Sequence, residues 1–129
     1  MKIRFLDKET QDGGSPTLFD TDRKTFLIQG WKVSDPKILA RLDLKIDETC
    51  VEVPIRLMTH LSKSTLTATD GTKPPLIIRT DHDTYVIKGR KVTDAEALAQ
   101  MTIPAHETVI EVSAALRILM GEEHATVDA

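Results

Sequence analysis

The chain has 129 residues, of which 40% are hydrophobic, 29% are charged and 4% are aromatic, and its formal net charge is −3. That length suits one domain over residues 1–129 with a buried core, and the composition is ordinary for a globular protein. The slightly acidic balance argues against a strongly basic surface, so we expect no nucleic acid partner.

One cysteine, Cys50, cannot form an intramolecular disulfide and suits a reducing compartment. No apolar run approaches the roughly 18 residues that a membrane-spanning helix needs. The N-terminal stretch MKIRFLDKET lacks the apolar segment of a signal peptide. We therefore expect a cytoplasmic protein with no membrane partner.

Residues Lys2 to Leu6 alternate like a strand and are predicted to form an additional edge strand. Downstream, the phrase TDRKTFLIQGWKVSD from Thr21 returns as TDHDTYVIKGRKVTD from Thr80. A shift of 59 positions aligns residues 21–61 with 80–120, and fifteen of these 41 pairs are identical where unrelated stretches would share about three. We call residues from about 16 to 61 the first repeat and from about 75 to 120 the second repeat. Residues 59 positions apart are called equivalent.

Each repeat reads as strand, hairpin turn, strand, helix, strand, helix. In the first repeat these predicted elements are Leu18–Asp20, Phe26–Gln29, a helix capped by Ser34, Thr49–Pro54, and a helix from Pro54 to about Ser62. In the second repeat they are Leu76–Arg79, Tyr85–Lys88, a helix capped by Thr93, Thr108–Ser113, and a helix from Ser113 to about Met120. Serine and threonine are typical N-cap residues, and Thr93 with Glu96 would form a capping box.

Neither repeat is long enough to bury a hairpin and two helices alone, so the two should share one core. The sequence therefore predicts an α+β fold in which a ββαβα unit occurs twice and packs as one pseudo-twofold domain. Residues 121–129 carry three acidic side chains and are predicted to be a mobile acidic tail.

Reactive side chains are few and scattered. The four histidines have no histidine at an equivalent position, and their spacing matches no zinc signature. Cys50 is equivalent to Val109, as expected of a small buried hydrophobe. No phosphate-binding glycine loop or nucleophile elbow occurs either. We predict no catalytic residue, no metal site and no cofactor, and we favour a non-enzymatic protein.

Among the polar residues that are identical in both repeats, three pairs allow two interpretations: Glu48 with Glu107, Glu52 with Glu111, and Lys32 with Lys91. These side chains could line a groove between the repeats and bind a ligand or act as acid and base. Alternatively, Glu52 and Glu111 face solvent from alternating strands and meet the two lysines across the sheet. The second interpretation is favoured, and the six residues stay as groove candidates.

Trp31 follows the glycine that ends the first hairpin, and its equivalent is Arg90. One repeat thus presents a large amphipathic ring where the other presents a charge. Tryptophan is enriched in binding hot spots, although it also covers cores. Trp31 and Arg90 are the predicted partner-binding residues.

The run TDRKTFLIQGWKVSDPKILARLDL, followed by ETCVEVPIRLM, carries the pattern TDR-x-TY-x-VQGW-x-V-x-D and then VEVP before an apolar helix. In this it resembles a group of short, uncharacterised proteins of actinomycete bacteria, over about Lys2 to Met120. The resemblance implies a stand-alone cytosolic bacterial protein and supplies no activity and no catalytic residue.

These observations favour a non-enzymatic protein-interaction or regulatory module whose partner is another protein or a second copy of the chain. The repeated scaffold, the divergent pair Trp31 and Arg90, and an edge strand open to strand addition support this expectation. The alternative is a small-ligand binder or enzyme that uses a groove between the repeats.

Overall fold

The computed structural model describes residues 1–8, 16–66 and 74–117. These residues form a mixed α and β fold with a mostly antiparallel sheet and few helices, as the α+β prediction requires. The strands are β1 (Ile3–Lys8), β2 (Thr17–Thr21), β3 (Thr25–Trp31), β4 (Glu48–Pro54), β5 (Ile77–Arg79), β6 (Thr84–Lys91) and β7 (Glu107–Ser113). The helices are α1 (Pro36–Leu42), α2 (Ala95–Ala99) and a 3₁₀ helix at Ile55–Lys63.

Every strand pair is antiparallel. β3 lies between β2 and β7, and β6 lies between β5 and β4. At their ends β3 also reaches β4, with Trp31 opposite Glu52, and β6 reaches β7, with Arg90 opposite Glu111. The strands β3, β4, β6 and β7 therefore pair in a closed ring. β1 and β2 extend one part of this ring, and β5 extends another.

The last strand of each repeat pairs with the hairpin of the other repeat. β7 lies along β3, where Thr25 is opposite Ser113, and β4 lies along β6, where Thr84 is opposite Pro54. A shift of 59 positions converts the first pair into the second. The hairpins also match, because Leu18 opposite Ile28 corresponds to Ile77 opposite Ile87. Each repeat therefore depends on the other to complete its part of the sheet.

Gly30 and Gly89 lie where two strands of the same repeat cross closely. A β-carbon on Gly30 would lie 2.7 Å from the Glu52 carbonyl oxygen, and one on Gly89 would lie 2.9 Å from the Glu111 carbonyl oxygen. Real β-carbons do not approach backbone atoms this closely, so any side chain would push the strands apart. This explains why glycine occupies both positions.

The central core combines the inner faces of strands from both repeats. Its buried members include Leu18, Phe26, Ile28, Val51, Val53, Tyr85, Ile87, Ile110, Val112 and Leu116. The 3₁₀ helix closes one side of it with Leu57, Met58 and Leu61. Since hydrophobic burial scales with the apolar area removed from water, this shared cluster supplies much of the stability of both repeats.

Two smaller apolar clusters lie under the helices and occupy equivalent positions. The cluster beside α1 contains Ile38, Cys50, Ile78 and Val86. The cluster beside α2 contains their equivalents Ala97, Val109, Phe19 and Leu27, and it also includes Met1 and Ile3. The N-terminal segment thus adds to the second cluster, where Ala97 is smaller than its equivalent Ile38.

The prediction of an α-helix at the end of each repeat is wrong for the first repeat. Ile55–Lys63 is a 3₁₀ helix, in which the Thr59 hydroxyl donates to the Arg56 carbonyl and the Ser62 hydroxyl to the Thr59 carbonyl. Such hydroxyl contacts compete with α-helical hydrogen bonds. In the second repeat, residues 114–115 form a turn, and Leu116 and Arg117 are helical. The predicted continuation to Met120 and the predicted tail 121–129 lie outside the described residues.

The helix caps also differ from the prediction by one residue. Asp35 and Asp94, rather than Ser34 and Thr93, are the N-caps of α1 and α2. The Asp35 carboxylate accepts from the Lys37 N–H at 2.9 Å, and that of Asp94 accepts from the Ala97 N–H at 2.9 Å. Aspartate is as good a cap as serine, so propensity could not decide between neighbours. No helix in the described part of the chain is long and apolar enough to cross a membrane.

Candidate functional site

Glu52 and Glu111 hold the two hairpins to the strands of the opposite repeat. The Thr84 hydroxyl donates to Glu52 Oε2 at 2.6 Å, and the Thr25 hydroxyl donates to Glu111 Oε2 at 2.6 Å. Each threonine also shares a hydrogen bond with the threonine four residues before it, at 2.7 Å in the first hairpin and 2.5 Å in the second. The predicted contacts of these glutamates with Lys32 and Lys91 are therefore wrong, because the carboxylates bind threonine hydroxyls instead.

Glu48 and Glu107 attach the helical segments to the sheet. Gln29 Nε2 donates to Glu107 Oε1 at 2.8 Å and to the Thr102 carbonyl at 2.7 Å. In the first repeat, Lys88 Nζ lies 3.3 Å from Glu48 Oε1 and donates to the Leu42 carbonyl at 2.9 Å. The pKa of the Glu48 carboxyl lies below its ordinary value, chiefly because the Lys45 N–H donates to it and also because of Lys88. All four repeated glutamates thus have contacts that support the fold.

Lys32 and Lys91 are different from the repeated glutamates. Their backbone N–H groups donate to the carbonyls of His106 and Asp47, respectively, at 3.0 and 2.9 Å. Both side chains are exposed, and neither ammonium group pairs with an acid anywhere in residues 1–8, 16–66 and 74–117. They are the repeated polar residues whose side chains have no part in holding the described fold together.

Trp31 and Arg90 end β3 and β6 and differ in exposure. The Trp31 side chain is half-buried between the ends of β4 and β7, where it lies opposite Glu52 and Glu107. Arg90 is exposed and lies opposite Glu48 and Glu111. The two predicted partner-binding residues therefore present a partly covered ring and a free charge.

A groove of about 370 Å³ opens beside Lys32, and we call it the Lys32 groove. It is lined by Lys32, Asp35, Ile38 and Arg41 of the first repeat and by Ile78, Arg79 and His82 of the second. Its apolar lining residues Val33, Ile38 and Ile78 are buried or partly buried, most of its charged residues are exposed, and Glu52 is partly buried. Both repeats contribute residues to this groove.

A smaller groove of about 180 Å³, the Lys91 groove, lies at the equivalent place in the other half of the molecule. It is lined by Met1, Arg23, Arg90, Lys91, Asp94 and Glu111. The amino group of Met1 lies 3.2 Å from the Asp94 carboxylate and 2.7 Å from that of Glu96. The Ala97 N–H and, secondarily, this amino group hold the pKa of the Asp94 carboxyl below its ordinary value. The N-terminal segment therefore partly fills this groove.

The six groove candidates do not meet in one pocket. Lys32 and Glu52 line the Lys32 groove, whereas Lys91 and Glu111 line the Lys91 groove. Glu48 borders a third depression of about 320 Å³ that also involves Arg90 and Glu111. Glu107 is buried, with 3% of its surface exposed. The repeated residues are therefore distributed over separate parts of the surface and the interior.

Arg41 and Arg79 are groove residues that comparison of identical positions could not find. Their equivalents are Gln100 and Asp20, so they appear only where the repeats differ. A search for charge reversals between equivalent positions would have identified Arg79. Together with Lys32 they give the Lys32 groove three basic side chains, and the three acids Asp35, Glu52 and Asp81 line the same groove.

Cys50 is 3% exposed, and burial, with a smaller effect of the Glu52 charge, raises the pKa of its thiol. A thiol in this state is poorly reactive, because the thiolate is the nucleophile. No group of three or more histidine, cysteine, aspartate and glutamate side chains within the described ranges could hold a metal ion.

Comparison with known protein families, with curated proteins and with solved structures finds no match to this chain.

Proposed function

We propose that this protein is a non-enzymatic interaction module that contacts a partner protein through exposed basic side chains at the ends of β3 and β6, with Lys32 on one surface and Arg90 and Lys91 on another. One observation carries the proposal. The repeated glutamates are engaged within the fold, whereas the exposed side chains of Lys32, Lys91 and Arg90 have no ion pair among the described residues. Charges that are exposed and without a structural task are available to a partner.

Both predicted partner-binding residues lie beside these basic side chains. Arg90 lines the Lys91 groove, and Trp31 directly precedes Lys32 at the end of β3. Arginine and tryptophan are the residues most enriched in binding hot spots, since both combine a large apolar face with a polar group. The same surface could contact a second copy of the chain. Phe5 and Leu76, which are 55% and 48% exposed, add apolar area near the sheet edges for such a contact.

We also infer that the fold is a doubled unit with an approximate twofold relation between the repeats. This is supported by the identical offset of 59 in the sequence and in the strand registers, and by the two matching apolar clusters. The resemblance to short actinomycete proteins agrees with a small stand-alone module and remains a prediction. Cytoplasmic location also remains a prediction.

A small anionic ligand is the second candidate for the Lys32 groove. Its volume of about 370 Å³ falls within the range of ordinary ligand sites, and its rim carries Lys32, Arg41 and Arg79. The three bases suit a carboxylate or a phosphate, and the acids Asp35, Glu52 and Asp81 of the same lining suit hydroxyl or amino groups elsewhere on the ligand. A thermal-shift screen of dicarboxylates and phosphate esters tests it, and a rise in melting temperature that Arg41→Gln removes would favour a ligand over a protein partner.

The experiment that tests the interaction module is affinity capture from host lysate with quantitative mass spectrometry. The baits are the wild type, Trp31→Ala, Arg90→Ala and, as a control, Lys24→Gln, which removes an exposed charge in the first hairpin turn. We expect a protein that the wild type and the control retain equally and that Trp31→Ala or Arg90→Ala loses by about tenfold. Circular dichroism must show that both variants fold. Equal recovery of every protein by all four baits would exclude this surface.

A further inference from the structure

We propose that the Lys91 groove binds a phosphate monoester through the side chains of Arg23, Arg90 and Lys91. This inference goes beyond the proposed function, because the groove could bind a phosphate with or without a partner protein. It follows from the charges that line the three depressions and from the comparison of the Lys91 groove with the equivalent Lys32 groove.

Among the three described depressions, the Lys91 groove is the one whose lining carries a net positive charge. Four basic groups and two acids line it: the side chains of Arg23, Arg90 and Lys91, the Met1 amino group, and the carboxylates of Asp94 and Glu111. In the Lys32 groove three bases face three acids, apart from His82, and in the third depression two bases face two acids. Charge therefore favours an anion at the Lys91 groove.

The acids of this groove already have partners in the fold. Asp94 lies 3.2 Å from the Met1 amino group, and the same amino group lies 2.7 Å from Glu96, which is outside the lining. Glu111 Oε2 lies 3.8 Å from Arg23 Nε. With Glu96 counted as well, four basic groups still exceed three acids by one. The acids therefore do not cancel the positive charge that an anion would meet.

Arg90 and Lys91 are the bases of the groove that form no ion pair within the described ranges. Both side chains are exposed. Their backbone is fixed, since Arg90 pairs with Glu111 of β7 and the Lys91 N–H donates to the Asp47 carbonyl at 2.9 Å. Arg23 comes from the first hairpin turn, so two separate elements supply hydrogen-bond donors to the groove.

The Lys32 groove is an internal reference for this charge. It has the equivalents of three charged residues of the Lys91 groove, namely Lys32 for Lys91, Asp35 for Asp94 and Glu52 for Glu111. It lacks both arginines, because Trp31 is the equivalent of Arg90 and His82 is the equivalent of Arg23. The two halves of the molecule thus share one framework, and the arginines belong to one half. Arginine matches phosphate oxygens in both geometry and charge.

The size of the groove and the number of its bases indicate the class of anion. Its volume of about 180 Å³ is below the roughly 300 Å³ at which ordinary ligand sites begin, so it suits one anionic group of a larger molecule. A phosphate monoester carries about −1.5 to −2 charges at neutral pH and has three acceptor oxygens, which three basic side chains can meet. A carboxylate has one charge and two oxygens and would leave a base without a contact.

The test is a titration of the isotope-labelled full chain with glycerol phosphate, followed by two-dimensional NMR at constant ionic strength. We expect the amide signals of Arg23, Arg90 and Lys91 to shift and to saturate at millimolar concentrations. Glycerol with sodium chloride is the control and should cause no such shifts. The absence of saturable shifts, or shifts confined to Lys32 and its neighbours, overturns the proposal.

Paired variants locate the binding. Arg90→Gln with Lys91→Gln should raise the dissociation constant of glycerol phosphate about tenfold, since each exposed charge contributes a factor of a few. Lys32→Gln with Arg41→Gln removes the same charge from the Lys32 groove and should change it less than twofold. An effect of the second pair as large as that of the first overturns the assignment to the Lys91 groove. All four side chains are exposed, so folding can be verified by thermal melting.

Arg23 and its equivalent His82 give a comparison of single residues. Arg23→Gln should weaken binding by a factor of a few, and Arg23→Lys should restore most of the affinity because it keeps the charge. His82→Gln should leave the dissociation constant unchanged within error. No loss in Arg23→Gln, or an equal loss in His82→Gln, overturns the assignment of three bases to this site.

Two further ligands test the chemical class and the source of the phosphate. N-acetyl aspartate presents a carboxylate and should bind severalfold more weakly than glycerol phosphate, and equal affinity overturns the assignment to phosphate. Phosphoserine with an acetylated amino group and an amidated carboxyl group presents the same ester on a protein-like backbone. Tighter binding of this compound supports a phosphorylated side chain of a partner protein as the source. Equal or weaker binding supports a free small phosphate ester.

Discussion

Glu107 and Glu48 are equivalent and each joins a helical segment to the sheet, but they do so with different partners. Glu107 is buried and accepts from the neutral amide of Gln29, whereas Glu48 is partly exposed and pairs with the Lys88 ammonium. In both cases the partner also donates to a backbone carbonyl, of Thr102 in one repeat and Leu42 in the other. The repeats have kept the geometry of this connection and changed its charge. Equivalent positions can therefore keep one structural task while the charge of the interacting groups changes.

Substitution of Gly30 or Gly89, where two strands cross, should lower the free energy of unfolding more than any other change that compares the two repeats. Gly30→Ala places a methyl group 2.7 Å from the Glu52 carbonyl and Val53 Cγ1, and Gly89→Ala places one 2.9 Å from the Glu111 carbonyl. We expect a loss of about 3 kcal/mol in the free energy of unfolding for Gly30→Ala and a somewhat smaller loss for Gly89→Ala. Urea denaturation measures both. Stability within experimental error of the wild type would show that the strands can separate at the crossing.

Removing Glu107 or Glu48 tests directly whether the two repeats depend equally on this connection for their stability. Glu107→Ala leaves the buried Gln29 amide with the Thr102 carbonyl alone, and we expect a loss of about 2 kcal/mol in unfolding free energy. Glu48→Ala should cost clearly less, because its partner Lys88 is near the surface and water can replace the contact. Chemical denaturation in low and high salt provides the measurement. If Glu48→Ala proved the more damaging, burial would not be the property that separates the two connections.

The threonine contacts should respond alike in both repeats. Thr25→Val and Thr84→Val keep the side-chain shape and remove the hydroxyls that donate to Glu111 and Glu52. Each should lower the unfolding free energy by about 1 to 2 kcal/mol. Serine at the same position restores the hydroxyl and is the control. A loss confined to one repeat would contradict the symmetry of these contacts.

Acid should weaken the attachment of β1, which has no equivalent beside β5 in the described residues. Burial acts to raise the pKa of the Asp20 carboxyl, but the hydrogen bonds from Arg4 and Ser64 outweigh it, so the pKa lies below its ordinary value of 3.8. The stabilisation is therefore complete above that value and is lost as pH falls through the lower pKa of the folded state.

This pH effect is measurable as a slope. Urea midpoints recorded from about pH 5 to about pH 2.5 should fall more steeply in the wild type than in Asp20→Asn, which has no carboxyl to protonate. Arg4→Gln should give an intermediate slope, because Ser64 still donates to Asp20. Parallel curves for the wild type and Asp20→Asn would show that other acids dominate.

The smallest effect is expected at Cys50, whose equivalent is Val109. Both are buried in matching apolar clusters, so Cys50→Val should change the unfolding free energy by less than about 1 kcal/mol. In the wild type, a thiol reagent should react with Cys50 only as fast as the protein opens, because burial raises the pKa of the thiol. Rapid labelling of the folded protein would mean that this cluster opens locally.

The strands could be predicted from the sequence because their alternation and the repeat agree with each other. β1, the hairpins and the last strand of each repeat appear within a few residues of their predicted bounds. The type of the helix at Ile55–Lys63 could not be predicted. Its sequence has helical periodicity, but its threonine and serine hydroxyls bond to nearby carbonyls. Local pattern does not encode that competition.

The candidate site was less accessible to prediction for a different reason. Glu52 binds Thr84 and Glu111 binds Thr25, and each pair joins strands from different repeats. The exchange of strands between repeats depends on long-range pairing, which periodicity within one segment cannot reveal. Looking for identical polar residues selected those that hold the fold together, whereas Arg41 and Arg79, which line the Lys32 groove, differ between the repeats.

The exchange of last strands also bears on how the protein is made. Thr25 pairs with Ser113, so β3 must wait for a partner that is synthesised 88 residues later (113 − 25). When the first repeat leaves the ribosome, the free edges of β3 and β4 have no strand to receive them. Residues as far as Ser113 must therefore emerge before the ring can close, and closure should be slow because its strand pairs are distant in sequence. In that interval the nascent chain exposes apolar strand edges, which makes chaperone binding during synthesis an expected requirement for good yield.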